Sequence, residues 1–147
     1  MQKDLDMTQT LMCWGICVGD GWFNILDTLC HQIQSYIDLP RDNLPRFKKF
    51  LEEAKAKKEE DNVRYWEKQL RITKDQIKQR PQIEAVQVKE KYGTLRFYVN
   101  HHDDVVNAMI DFAEDMSGCT CEKCGAPAST SNEGWRETKC SRCKGEI

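Results

Sequence analysis

The period of the apolar residues changes several times along the chain, and each change marks an element. Leu11 to Val18 is a short apolar run, long enough for one buried strand. Residues 1–10 ahead of it are mostly polar and are expected to be loosely attached. Gly19-Asp20-Gly21 breaks the run. The two glycines free the backbone for a tight turn, and Asp20 is placed to cap a helix behind it. Trp22, Leu26, Leu29, Ile33 and Ile37 then recur at steps of three and four, with Phe23, Ile25 and Tyr36 widening the stripe. That spacing predicts a helix over residues 22–37 with one face in the core.

LPRDNLP, residues 39–45, reads as a linker with two prolines. Two helical stretches follow. Phe47, Phe50, Leu51 and Ala54 mark the first, and Val63, Trp66, Leu70 and Ile77 mark the second. Their phases do not join, and the break falls in KKEEDN at 57–62, so an antiparallel helical hairpin is preferred to one long helix. Arg80-Pro81 ends the second helix. In QIEAVQVKEKYGTLRFYVN the period drops to two. Val86 and Val88, then Leu95, Phe97 and Val99, alternate with polar residues around Tyr92-Gly93, which predicts a β-hairpin with one face on a core. Its outward face gathers Lys89, Arg96 and Tyr98, with Lys91 at the turn. Asp103 or Asp104 caps the next helix, residues 105–116, whose apolar side is Val106, Met109, Ile110, Ala113 and Met116. His101 and His102 beside these aspartates suggest metal ligands, but adjacent residues of a strand point to opposite faces. Ser117-Gly118 stops the helix.

Composition narrows the class. At 147 residues the chain can form one modest domain and a small module. A net charge of −2 argues against a general nucleic-acid coat, yet the charge is uneven. Residues 1–40 carry one Lys against five Asp, and residues 41–80 carry 13 Lys and Arg against 8 Asp and Glu. No run of about 18 apolar residues exists, so no membrane helix is expected. MQKDLDMTQT lacks the basic start and apolar centre of a signal peptide. Eight cysteines without an export signal suggest a reducing compartment, and a cytoplasmic protein is expected.

The chemistry concentrates in the last 27 residues. Cys121 and Cys124 form one C-x-x-C pair, Cys140 and Cys143 a second, with 15 residues between and Gly125 and Gly145 just behind each. This is the spacing of a structural zinc site, in which two turns each bring two thiolates to one face of the ion. A segment this short builds no core, so metal binding would supply its folding energy. Two disulfides in a secreted domain are the alternative, and nothing else points to secretion. Cys13, Cys17 and Cys30-His31 can be read as a second metal site, but their spacing matches no closed ligand set, and small buried apolar residues are the simpler reading. Cys119 is left over.

Three stretches together, GDGWFNILDTLC (19–30), VQVKEKYGTLRFYV (86–99) and the run from Asp103 through CEKCGAP to GWRETKC, resemble a group of small proteins of unassigned function encoded by phages and bacteria. Those read GDGW-helix, VKEKFGGLRFY-type hairpin, amphipathic helix, then a Cys-x-x-Cys-Gly-x-Pro knuckle. Two departures stand out. Residues 41–81 look like an insertion, and the last knuckle is Cys140-x-x-Cys143 where similar sequences end in Cys and His. The resemblance implies a small phage accessory protein and no particular activity.

The expected fold is α+β: a small hairpin packed on two amphipathic helices (1–40 and 82–118), an inserted helical hairpin (41–81), and a zinc ribbon or knuckle (119–147). The expected function is non-enzymatic. A structural Zn2+ would hold surfaces that bind a host protein, as an inhibitor of host machinery or of defence. One alternative is a binder of a small anionic ligand such as a nucleotide, using Asp20, Trp22, Lys89, Lys91, Arg96 and Tyr98 around a Gly-flanked helix start, although the carboxylate of Asp20 would repel an anion there. The other is nucleic-acid binding through the ribbon, which its near-neutral charge, five Lys and Arg against four Glu over 119–147, disfavours. Trp66, Leu70 and Ile77 would form an exposed stripe if the inserted helices project, which suggests a homodimer. No G-x-S-x-G, P-loop or H-E-x-x-H is present to suggest an enzyme.

Overall fold

The computed structural model describes residues 15–132 and 134–145. Residues 1–10, Leu11–Trp14 and with them Cys13 lie outside the described residues. The fold is a mixture of helices and small sheets, α+β as expected. The chain divides into two compact units, Met1–Gln32 with Glu84–Ile147 and, separately, Ile33–Ile83.

In the first unit β1 (Ile16–Cys17), β2 (Ala85–Lys91) and β3 (Thr94–Val99) form a three-stranded sheet in that order, β1 parallel and β3 antiparallel to β2. The expected buried strand is corrected here. Both residues of β1 are exposed, Ile16 by 58%, because β1 is a short edge strand rather than a central one. The hairpin has the predicted turn: Tyr92 and Gly93 both take positive φ, 55° and 79°, as a two-residue turn of the type that follows strand twist requires. Val88, Leu95 and Phe97 are buried, on one face of the pleat. The free edge of β3 is covered by α3 (Asp104–Ser117). Ser117 Oγ accepts the Leu95 N–H at 2.8 Å, and Glu114 accepts the Phe97 N–H at 3.1 Å. Side chains of a helix thus replace the missing strand. Of the two aspartates expected to cap α3, Asp103 does so, its carboxylate accepting the Val106 N–H at 2.9 Å. Val106, Ile110 and Ala113 are the buried face of α3.

A short 3-10 turn, Asp20–Trp22, leads into α1 (Phe23–Ala56). Asp20 caps nothing. It stands inside the turn, and the cap position falls to Gly19, which has no side chain to cap with. Trp22, Leu26 and Leu29 are buried, the stripe that the sequence predicts.

The expected linker at 39–45 is helix. α1 runs for 34 residues through Pro40 and Pro45, and residues 33–56 belong to the second unit with α2 (Glu60–Gln79). A proline inside a helix removes the N–H that would reach the carbonyl four residues back. For Pro40 that carbonyl is Tyr36, and Arg80 Nη1 donates to it at 3.2 Å. The same guanidinium lies 3.8 Å from the centre of the Tyr36 ring. Arg41 in turn donates to the Arg80 carbonyl at 2.8 Å and to the Ile37 carbonyl. The α1–α2 break falls at residues 57–59, within the predicted KKEEDN. The stripe on α2 is turned inward rather than free for a second chain. Trp66 packs on Phe47 and Phe50 with ring centres 5.3 and 4.9 Å away, and Leu70 is buried. Of the stripe from which a homodimer was expected, Leu70 is thus covered within its own unit and Trp66 and Ile77 are half-buried. No helix among the described residues is long and apolar enough to cross a membrane.

The Ser117 hydroxyl accepts the buried Leu95 N–H and donates in turn to the Glu114 carbonyl at 2.5 Å. Ser117→Ala is expected to cost about 1–3 kcal/mol, the penalty for leaving a buried donor unmet. Urea unfolding with an unchanged slope checks it. A loss below about 0.5 kcal/mol would show that β3 does not depend on this edge bond.

Candidate metal centre

Two short turns carry the four cysteines together. Cys121 precedes a turn in which the Gly125 N–H returns to the Cys121 carbonyl at 2.8 Å and the Cys121 N–H reaches Ala126 at 2.7 Å. Cys140 precedes α4 (Ser141–Lys144), and the Cys143 N–H returns to the Cys140 carbonyl at 2.9 Å. Gly125 and Gly145 close these turns in the left-handed region. Between them β4 (Ser129–Thr130) and β5 (Thr138–Lys139) pair antiparallel. The sulfurs of Cys121, Cys124, Cys140 and Cys143 all lie within 4.8 Å of one another, and those of Cys124 and Cys140 are 3.6 Å apart. The four thiols can hold a metal ion.

The electrostatics are those of a cation site. Burial pushes the Cys121 thiol up, but the N–H groups of Cys140, Cys124 and Lys123 and the Cys124 thiol outweigh it and bring its pKa from 9.0 down to about 6. Cys140 is lowered chiefly by the Cys143 N–H. Cys143 is pushed up to about 12, first by the Cys124 side chain, then by burial and the remaining sulfurs. Backbone dipoles thus favour negative sulfur, while the crowded thiols hold on to the last proton until a cation neutralises them.

The GDGW turn is docked on the first cysteine turn. The Gly21 N–H donates to the Glu122 carbonyl at 2.7 Å, the Gly19 N–H to the Glu122 carboxylate at 3.0 Å, and Trp22 Nε1–H to the Thr120 carbonyl at 2.7 Å. A Cβ on Gly21 would stand 2.6 Å from both the Glu122 oxygen and the Gly125 nitrogen, and closer still to the Cys121 carbonyl. From the other side, the Thr138 hydroxyl donates to the Gly93 carbonyl at 2.6 Å, and the Glu122 N–H to the Thr138 carbonyl at 2.9 Å. Thr138 is fully buried.

These contacts redistribute the expected ligand residues. Trp22 is fully buried and offers a ligand no surface. The N–H groups at the Gly-flanked helix start already hold Glu122, so a carboxylate of the chain itself stands where an outside anion was expected. Asp20 is exposed. On the hairpin, Lys89 stands directly opposite Arg96. The two cations part: Arg96 turns to Glu114 at 3.4 Å, and Lys89 lies 5.4 Å over the Tyr98 ring. Lys91 lies 5.4 Å over Tyr92 at the turn. Tyr92, Lys91 and Glu90 line a recess of about 500 Å3 with Gly134, Trp135 and Arg136. Sequence reading missed Trp135, which is 84% exposed. A Trp directly after a Gly in a polar loop was the available signal. Among the described residues Cys17, Cys30, His31 and Cys119 join no metal-ligand group. The Cys30 thiol is raised by burial and by Asp27.

No protein-family model, curated protein or solved structure matches this chain.

Gly21→Ala forces a methyl group into the backbone of the cysteine turn and is expected to cost on the order of 3 kcal/mol. Asp20→Ala, one residue away, removes a side chain that caps nothing and should stay within about 0.5 kcal/mol. Denaturant unfolding of both variants checks the contrast; equal effects would show that the turn is not seated on Cys121 and Glu122.

Proposed function

We propose that the chain is a non-enzymatic binding protein in which zinc is a structural staple, and that it acts by docking a protein partner, a host protein if the chain is phage-encoded. The observation that carries this reading is the seating of the GDGW turn on the cysteine turn. A metal there fixes the start of α1, the hairpin turn and the end of α3 in one piece. Zinc is supported by the donor set, since four thiolates suit a d10 ion without geometric preference. Four sulfurs about 2.3 Å from one ion stand roughly 3.8 Å apart, close to the 3.6 Å between Cys124 and Cys140. Four such ligands leave no coordination position for water, which fits a staple rather than a catalyst. Cys30, the other thiol with a perturbed pKa, is shifted away from nucleophilic reactivity.

Purified protein is expected to carry one zinc per chain by elemental analysis, and Cys140→Ser to lose the ion and the folded state together. Acidity gives a second readout. Cys121 already favours its thiolate down to about pH 6 without an ion, because its folded pKa lies below the ordinary 9.0. That contribution is complete above 9 and is lost as pH falls through 6. Bound zinc holds off protons further, so release is expected below pH 6. A folded chain that keeps its full melting temperature after metal removal would overturn the staple.

A second reading has one observation of its own. Tyr92 and Trp135, 64% and 84% exposed, share a recess with Lys91 and Arg136. Two aromatic faces and two cations suit a nucleotide, by stacking and by phosphate contact. Tyr92 keeps a left-handed backbone that a non-glycine residue adopts at some cost. Titration with linear and cyclic nucleotides should quench tryptophan fluorescence, and Trp135→Ala should weaken binding at least tenfold. Absence of a response across the panel removes this reading.

A further inference from the structure

We infer that the groove between the first turns of α1 and the outer face of α3 is a docking site for a basic amphipathic helix of a partner protein. The inference rests on the proposed partner-binding function and names its surface. The groove measures about 390 Å3 and lies wholly within the first unit. Ile25 and Leu29 of α1 line it with Met109, Phe112, Ala113 and Met116 of α3. Phe112 is 67% exposed and Met116 39%. An apolar surface of this kind, open to water and carrying two flexible methionines, is the type that receives the apolar stripe of a helix.

Charge decides which helix. Residues 20–32 contain Asp20 and Asp27 and no Lys or Arg; residues 104–117 contain Asp104, Asp111, Glu114 and Asp115 and likewise none. Glu114 is engaged by Arg96 and the Phe97 N–H on the inner side. By helical rotation, Asp104, Asp111 and Asp115 fall together on the solvent flank beyond Phe112, whereas Asp27 lies on the side of α1 turned away from Ile25 and Leu29. All four are exposed. An apolar channel with an acidic bank along α3, and no Lys or Arg on the α1 side, complements a helix with apolar residues at i, i+3, i+4 and i+7 and Lys or Arg on its flank. The fourteen residues ahead of Gly15 carry two Asp and one Lys and do not supply that charge.

The test uses the zinc-loaded 147-residue chain and three synthetic 18-residue helices: Leu and Lys in amphipathic order, the same order with Glu for Lys, and the Leu/Lys composition scrambled. Binding is read by anisotropy of the labelled peptide. The Leu/Lys helix is expected to bind one per chain, at least tenfold tighter than the other two. Phe112→Ser and the pair Asp111→Lys with Asp115→Lys should each weaken it at least tenfold, while Phe23→Ser, an exposed apolar residue that does not line the groove, leaves it unchanged. Equal binding of the Leu/Glu helix, or indifference to Phe112→Ser, overturns the proposal. So does a concentration-dependent dimer in sedimentation that Phe112→Ser abolishes, since a second copy then fills the groove. Zinc content and melting temperature of the same samples separate the two levels. A zinc-loaded, folded chain that ignores the peptide refutes the groove alone, whereas a folded chain without zinc refutes the staple.

Discussion

Glu122 takes two backbone N–H groups from the GDGW turn, one on its carbonyl and one on its carboxylate. That pair of hydrogen bonds joins residues about a hundred positions apart, and the rest of the first unit is arranged around it. The carboxylate sits at the start of a helix, where free N–H groups and the helix dipole favour negative charge. Cys121, next in sequence, is fully buried beneath the same contact. The cysteine module is therefore no bead on the end of a core. It forms one compact unit with the sheet and α3.

The same economy of polar groups recurs around it. Thr138 bonds the Gly93 carbonyl at the hairpin turn, Trp22 bonds Thr120, and Ser117 bonds Leu95. Among the described residues no buried side-chain nitrogen or oxygen lacks a partner. Such buried polar contacts contribute little net energy when made but are costly when broken, so they specify one arrangement more than they deepen it. A metal ion at the four sulfurs would supply the stabilisation, and these bonds would transmit it to α1, α3 and the hairpin.

How far the sequence could be read follows from this. The two Cys-x-x-Cys pairs, the hairpin and a cap at Asp103 or Asp104 were legible because each depends on spacing within a few residues. The helix through Pro40 was not, since the donor that replaces the missing N–H comes from Arg80, 44 residues beyond Tyr36. The purpose of GDGW was hidden for the same reason. Glycines that read as a flexible turn, or as an anion cradle, are there because Cys121 and Glu122 approach too closely for a side chain. Trp22 looked like a ligand platform and is a core residue whose indole N–H finds its partner 98 positions away. Arg96 looked like a free cation, yet it pairs with Glu114 of α3 and donates to the Thr94 hydroxyl and the Leu95 carbonyl beside it. Local patterns identify elements; which face an element spends internally is set by distant partners.

What remains for the outside is then defined by subtraction. The donors of the helix start are spent on Glu122, and Arg96 is spent on Glu114. The exposed remainder is apolar along the groove and acidic on the flank that α3 presents beside it. Asp111 and Asp115 are one helical turn apart, a like-charge pair that weakens an isolated helix by about 0.2–0.5 kcal/mol. No Lys or Arg on α3 offsets it. Helix stability alone would be better served by a lysine at either position. Unrelieved acid beside exposed Phe112 and Met116 is thus not accounted for by the fold's own stability, and it is the feature on which the proposed docking of a basic helix rests.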